Sequence, residues 1–187
     1  MIDPPWPSSL DNLTPEEEAF FARHEPMEEA DNGYGAIQST RPDTIAAALN
    51  DSPAGLLAWI VDKVHAWSDH GGDLESRFDR DYLLTLATLY WVTESIGTSF
   101  RDYYDDAHPV SPAASEEPAK PQPTIDVPVG VILSREPNMV GIPRSIGERA
   151  ATDIRVWDDF GTGGHFMAHE QPVLTAGAVE RFFRALW

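Results

Sequence analysis

Beyond residue 124 the chain holds enough for two buried parallel strands and no more. Ile125–Leu133 is an apolar, β-branched run suited to a strand covered on both faces. Pro143–Ala151 reads as a helix with proline at its first position. Asp153–Phe160 contains a second short strand, Ile154-Arg155-Val156-Trp157; Gly161-Thr162-Gly163-Gly164 is a tight loop, and Thr175–Leu186 a closing helix. Strand, helix, strand, helix at this spacing predicts a parallel unit with a right-handed crossover. Two parallel strands cannot stand alone, because such sheets need both faces and both neighbours covered. Residues 124–187 therefore read as the edge of a larger sheet whose other strands lie outside this sequence.

The earlier region, residues 1–107, reads as helical after a loop-like start. Thr14-Pro15-Glu16-Glu17 is a helix start with Thr14 as N-cap, Pro15 in the first position and Glu17 closing a capping box. That helix is expected to run to about His24 and stop before Pro26. A second begins near Pro42-Asp43 and carries Ile45–Leu49. Ser52-Pro53 opens a third, in which Leu57, Ile60, Val61, Val64 and Trp67 recur at helical spacing before Gly71-Gly72. The longest is expected over Asp81–Asp106, apolar on most sides between Leu83 and Val92 and so buried in a bundle. Pro109, Pro112, Pro118, Pro121 and Pro123 then mark residues 108–123 as a linker.

Composition narrows the function classes. The longest apolar runs, Gly55–Val61 and Val127–Leu133, are seven residues each, and a membrane span needs about 20. The start, Met1-Ile2-Asp3-Pro4-Pro5-Trp6, has neither the basic nor the apolar region of a secretory signal. Cysteine is absent, which removes disulfides, thiolate zinc sites and cysteine nucleophiles. The cytoplasm is the expected compartment. The net charge of −18 repels nucleic acid and anionic membranes, so neither is expected as a partner. Lys63 and Lys120 are the only lysines. Abundant carboxylate with little lysine suits a concentrated-salt cytoplasm; it equally suits an ordinary acidic protein from a GC-rich genome.

In open parallel sheets, reactive groups gather at the carboxyl ends of the strands. Glu136 follows the first expected strand by three residues, and His165 follows the second, past the glycine loop. An acid and then a histidine in those places match the second and third members of an α/β-hydrolase triad. The acid would hold the imidazole's tautomer and stabilise its charged form. A loop histidine with a structural hydrogen bond remains the competing reading, and Asp158 and Asp159 compete with Glu136 as its partner. His165 and His169 are four apart but in a loop, so they do not read as a zinc pair.

Several further motifs point the same way. Gly33-Tyr34-Gly35-Ala36-Ile37-Gln38-Ser39-Thr40-Arg41-Pro42-Asp43-Thr44 and Ala48-Leu49-Asn50-Asp51-Ser52-Pro53-Ala54-Gly55-Leu56 resemble the lid of the microsomal (juvenile-hormone) type of epoxide hydrolase. Leu89-Tyr90-Trp91-Val92-Thr93, Ser99-Phe100-Arg101-Asp102-Tyr103-Tyr104, Val127-Pro128-Val129-Gly130 and Gly163-Gly164-His165-Phe166-Met167-Ala168-His169-Glu170-Gln171-Pro172 match the same family in its order. The resemblance runs from about Gly33 to Trp187. It implies an α/β fold: a helical lid (1–107), the linker (108–123) and the last β-α-β-α elements of an α/β-hydrolase core (124–187), with an incomplete parallel sheet.

The chemistry it implies is hydrolysis of a small apolar epoxide in two steps. An aspartate opens the ring to an ester while two lid tyrosines donate to the ring oxygen; a histidine–acid pair then activates water to cleave the ester. Carried over by motif, the tyrosines are Tyr34 and Tyr103, the histidine His165 and the acid Glu136, with no cofactor or metal. A neutral phenol is a competent donor to a developing alkoxide. Tyr103 shares a helical stripe with Ile96 and Phe100 and is expected to face inward, Tyr104 elsewhere; either tyrosine taken alone would equally serve as a core aromatic. Two departures stand out. Ile132-Leu133-Ser134-Arg135-Glu136-Pro137 lacks the Phe-Pro pair that normally precedes the acid and is one residue shorter. The Gly-Gly-Asp-Trp-Gly turn that carries the nucleophile, and the His-Gly-Trp-Pro oxyanion loop, are not in this sequence. Gly71-Gly72-Asp73-Leu74 follows a helix rather than a strand and does not replace that turn. The expectation is the C-terminal half of an epoxide hydrolase, inactive alone, with a separate chain carrying the other half as its partner. A non-catalytic binding module and a functionless relic of a hydrolase are the alternatives.

Overall fold

The computed structural model describes residues 5–7, 9–109, 125–137 and 139–186, the side chains of 27–30 excepted. In chain order the elements are α1 (Pro15–Asp31), α2 (Gly33–Thr40), α3 (Pro42–Asp51), α4 (Pro53–Trp67), α5 (Arg80–Thr93), α6 (Ile96–Ser99) and α7 (Arg101–Ala107). Then come β1 (Val129–Leu133), α8 (Arg144–Glu148), β2 (Ile154–Asp159), α9 (Met167–Glu170) and α10 (Pro172–Arg184). Apart from His108 and Pro109, the proline-rich segment read as a linker lies outside the described residues.

The chain divides into two compact units. A core unit comprises Met1–Met27, Trp67–Gly71 and Ala119–Trp187; a helical unit comprises Glu28–Ala66 and Gly72–Pro118. The core unit thus takes in two stretches, 1–27 and 67–71, that the sequence alone groups with the helical region.

In the core unit β1 and β2 run parallel, pairing Gly130 with Val156 and Leu133 with Asp159. The parallel pair and the helices that follow it are those of an α/β fold with an incomplete sheet. Val129, Val131, Ile132 and Leu133 are all buried, as a strand covered on both faces requires. One cluster joins Phe20 of α1 to Val129, Val131, Leu133, Ile142 and Ile146; a second joins Ile132 to Met167 and Ala178. Gly130 lets α10 close on the strand, since a Cβ there would lie 2.7 Å from the Phe182 ring.

The capping box at Thr14 forms as its sequence dictates: Glu17 Oε2 accepts the Thr14 N–H at 2.8 Å, and Thr14 Oγ1 accepts the Glu17 N–H at 3.3 Å. The same Glu17 is buried and takes Arg149 in a two-pronged pair, Nη2 to Oε2 at 2.7 Å and Nε to Oε1 at 3.1 Å, with Ser145 Oγ donating at 2.8 Å. Led by the Arg149 hydrogen bond, these donors hold the Glu17 carboxyl at about 2 rather than 4.5, against the opposing effect of burial.

α1 does not end before Pro26; it runs through it to Asp31. Pro26 forfeits the bond to the Ala22 carbonyl and crowds that carbonyl, a cost of about 3 kcal/mol, and the helix nonetheless continues through it. The division between the units falls one residue later, after Met27.

In the helical unit α2 packs on α3 and α7, and α3 on α6. Gly97 permits the last contact, since a Cβ there would sit 3.2 Å from that of Ala46. Ser52 caps α4, its hydroxyl accepting the Gly55 N–H at 3.0 Å. The single helix expected over Asp81–Asp106 is instead α5, α6 and α7. It breaks at Glu94, which adopts a left-handed backbone (φ 52°), while the Ser95 N–H reaches the Tyr90 carbonyl at 3.2 Å. That bond and the Thr93 hydroxyl, 2.6 Å from the Leu89 carbonyl and 2.8 Å from Ser95 Oγ, complete the helix end. No single described helix is long and apolar enough to cross a membrane.

Candidate active site

In the core unit the loop after β1 carries Glu136 and the loop after β2 carries His165, so both lie beyond the carboxyl ends of the paired strands. His165 Nδ1 stands 2.9 Å from Glu136 Oε1. A carboxylate in its ionised form only accepts; with Glu136 in that form the contact requires the proton on Nδ1 and leaves Nε2 as the basic nitrogen. The Glu136 side chain is 13% exposed and that of His165 is 42% exposed, which leaves the imidazole within reach of water. Ser134 Oγ accepts the Glu136 N–H at 3.2 Å, and the Arg135 N–H donates to the Gly163 carbonyl at 2.6 Å, joining the two loops directly. The competing acids are engaged elsewhere: Asp159 accepts the Gly161 N–H at 2.8 Å, and Asp158 pairs with Arg181 at 3.7 Å. Among the described residues no cluster of three or more histidines and carboxylates could hold a metal ion.

The histidine loop is tied down by residues to which the sequence reading gave no role. Glu170 on α9 is buried, yet its carboxylate accepts three backbone N–H groups: Gly164 at 2.9 Å, Phe166 at 3.0 Å and Asp69 at 2.6 Å. The His165 N–H donates to the Trp67 carbonyl at 2.9 Å, and the Trp67 ring lies 5.2 Å from the imidazole. Asp69 in turn accepts the Gly163 N–H at 2.9 Å. A carboxylate six residues past a glycine-rich loop was the available signal, because such loops expose amides that need acceptors.

In the helical unit Tyr34 on α2 and Tyr103 on α7 meet edge to face, their ring centroids 5.9 Å apart and their planes 80° apart. The neighbouring Tyr104 stacks on His108 at 4.2 Å. Ile96 and Phe100 are buried as the stripe predicts, but Tyr103 is 40% exposed. The Lys63 ammonium lies 5.1 Å from the Tyr34 ring centre. Gly71 and Gly72, with φ of 62° and 95°, follow α4 and lead into a 3₁₀ turn at Leu74–Ser76 rather than leaving a strand.

No protein-family signature matches the chain. Individual proteins do. The chain is 35% identical over 176 residues to a putative epoxide hydrolase of Stigmatella aurantiaca, covering 94% of this chain and 38% of the relative. It is 34% identical to epoxide hydrolase 1 of Sus scrofa over 83% of its own length and 35% of the relative's. The Aspergillus niger epoxide hydrolase structure superposes on all of the chain with a TM-score of 0.68 at 28% identity, 44% of that structure being covered. The chain is homologous to one part of the epoxide hydrolases. The juvenile hormone epoxide hydrolase structure of the silkworm Bombyx mori agrees, with a TM-score of 0.70 over 94% of the chain at 26% identity and 43% of that structure covered. The fold of this epoxide hydrolase homologue is therefore that of the α/β-hydrolases. It spans little more than a third of the curated relatives' length.

Proposed function

We propose that these residues provide the ester-cleaving pair and the ring-opening donors of an epoxide hydrolase acting on a small apolar epoxide. The observation that carries the reading is the 2.9 Å contact of His165 Nδ1 with Glu136 Oε1 beyond the ends of two parallel strands. In the first step an aspartate carboxylate attacks an epoxide carbon, the C–O bond breaks, and the oxygen is stabilised and protonated from the phenols of Tyr34 and Tyr103. In the second, Nε2 of His165 takes a proton from water, whose oxygen attacks the ester carbonyl. The acyl C–O bond breaks, the diol leaves, the aspartate is restored as a carboxylate, and the proton held by the imidazolium is returned to the phenolate left by the first step. Glu136 holds the tautomer that makes Nε2 the base and stabilises the imidazolium that forms.

The aspartate and the oxyanion loop belong to polypeptide that also supplies the missing strands, in the same chain or in a separate one. The 187 residues alone should then leave styrene oxide unchanged above background. Combined with a segment carrying the earlier strands and the Gly-Gly-Asp-Trp-Gly turn, they should turn it over. In that complex Tyr103→Phe should slow ester formation by about 100- to 1,000-fold, the scale of one lost donor to a developing charge, while Tyr104→Phe changes it less than twofold. A co-folded complex without turnover, or equal effects of the two tyrosines, would refute the reading.

A further inference from the structure

We propose that Glu170 is a positioning residue for His165, acting through the backbone on either side of it, an inference that rests on the catalytic role given to His165 above. Four consecutive amides in the histidine loop have fixed acceptors. Gly163 donates to Asp69 Oδ2, Gly164 to Glu170 Oε2, His165 to the Trp67 carbonyl and Phe166 to Glu170 Oε1. Oε2 of Glu170 also accepts the Asp69 N–H, so one buried carboxylate ties the loop to the Trp67–Asp69 segment whose carbonyl and carboxylate hold the other two amides. The amides before and after His165 thus end on the two oxygens of a single side chain. The imidazole can meet Glu136 only while the Cα of residue 165 keeps its place, and these bonds fix that place.

The chemistry of the acceptor is specific. Three N–H donors converge on two oxygens, and only a group that accepts at both positions serves them all. A glutamine would turn an NH2 toward at least one of those donors and leave it facing a like dipole in a buried site. The residue is 4% exposed, so water cannot take over the role without the loop opening. Gly164 adds a steric condition: a Cβ there would lie 2.8 Å from both the Asp69 nitrogen and the Ser68 Cα, so the loop sits flush on that segment.

The test uses the whole chain and reads solvent exchange of the His165 Nδ1 proton by NMR, with Glu136→Gln identifying the signal. Glu170→Gln should speed that exchange at least tenfold. Ile146→Ala, which empties a buried position in the other cluster of the same unit, should change it less than twofold even where it lowers stability as much. Glu170→Asp, with its carboxylate one methylene short, should speed exchange by a smaller factor and carries the test if the glutamine variant does not fold. Unchanged exchange in a folded Glu170 variant, or equal acceleration by Ile146→Ala, would overturn the proposal. Because the readout needs no turnover, failure of the epoxide chemistry would leave this result standing, and the reverse.

Discussion

The two units place their functional side chains by different physical means. In the core unit, carboxylates reach across the sequence: Glu17 to Arg149 and Ser145, Glu170 to Asp69, Glu136 to His165. In the helical unit the hydroxyls of Thr40, Ser52, Thr93 and Ser99 bond within their own turn or the adjoining one, and the helices meet through faces such as Gly97 on Ala46, Phe100 on Trp59 and Tyr103 on Tyr34. Directional bonds to backbone fix a loop that has no periodic structure of its own. Packed helix faces need no such bonds, because the helix already fixes the spacing of its side chains. The His165–Glu136 pair, aligned to within a hydrogen bond, comes from the first arrangement; the Tyr34–Tyr103 pair comes from the second.

The contrast can be broken most strongly at glycine. Gly164→Ala should destabilise the core unit by about 2 kcal/mol, since the added methyl meets backbone on the Trp67–Asp69 segment that cannot yield. Urea denaturation followed by hydrogen exchange would show it, and a neutral outcome would mean the loop is not held flush. A pH-dependent effect is expected at Glu17. Its carboxyl is held at about 2 when folded against 4.5 when free, so its contribution is complete above pH 4.5 and drains away as the pH falls toward 2. The melting-temperature gap between the parent chain and Glu17→Gln should therefore close between pH 5 and pH 2, with the loss of protection confined to the core unit. A gap that stays constant would remove the ion pair from the account. The smallest effect is at Gly33, where an added methyl meets nothing within 4 Å; Gly33→Ala at the start of α2 should stabilise the helical unit by about 0.5 kcal/mol.

The same contrast explains what the sequence could tell. Local rules were legible where local physics decides: Thr14 and Glu17 announced their capping box, and the β-branched run announced a strand buried on both faces. The α2 helix escaped notice because Gly33 and Gly35 lower its propensity, and packing on α3 and α7 overrides that. Pro26 and the left-handed Glu94 misled in opposite directions, one continuing a helix and the other breaking it. Glu136 and His165 could be named from their places after two strands, and the structure brings them together. Glu170 offered a signal only for its local bonds to Gly164 and Phe166; its tie to Asp69, 101 residues away in sequence, could not be read, because no periodicity carries such information.

The central claim is that His165, set by Glu136, cleaves an ester rather than forming it. Its most direct test is mass spectrometry of the complex reconstituted with the nucleophile-bearing segment, after His165→Ala and exposure to styrene oxide. The nucleophile segment should gain the mass of one substrate and keep it, ester formation surviving while its cleavage slows by about 10³-fold, as for loss of a general base. Free diol released at the parent rate, with no adduct at any time, would contradict it.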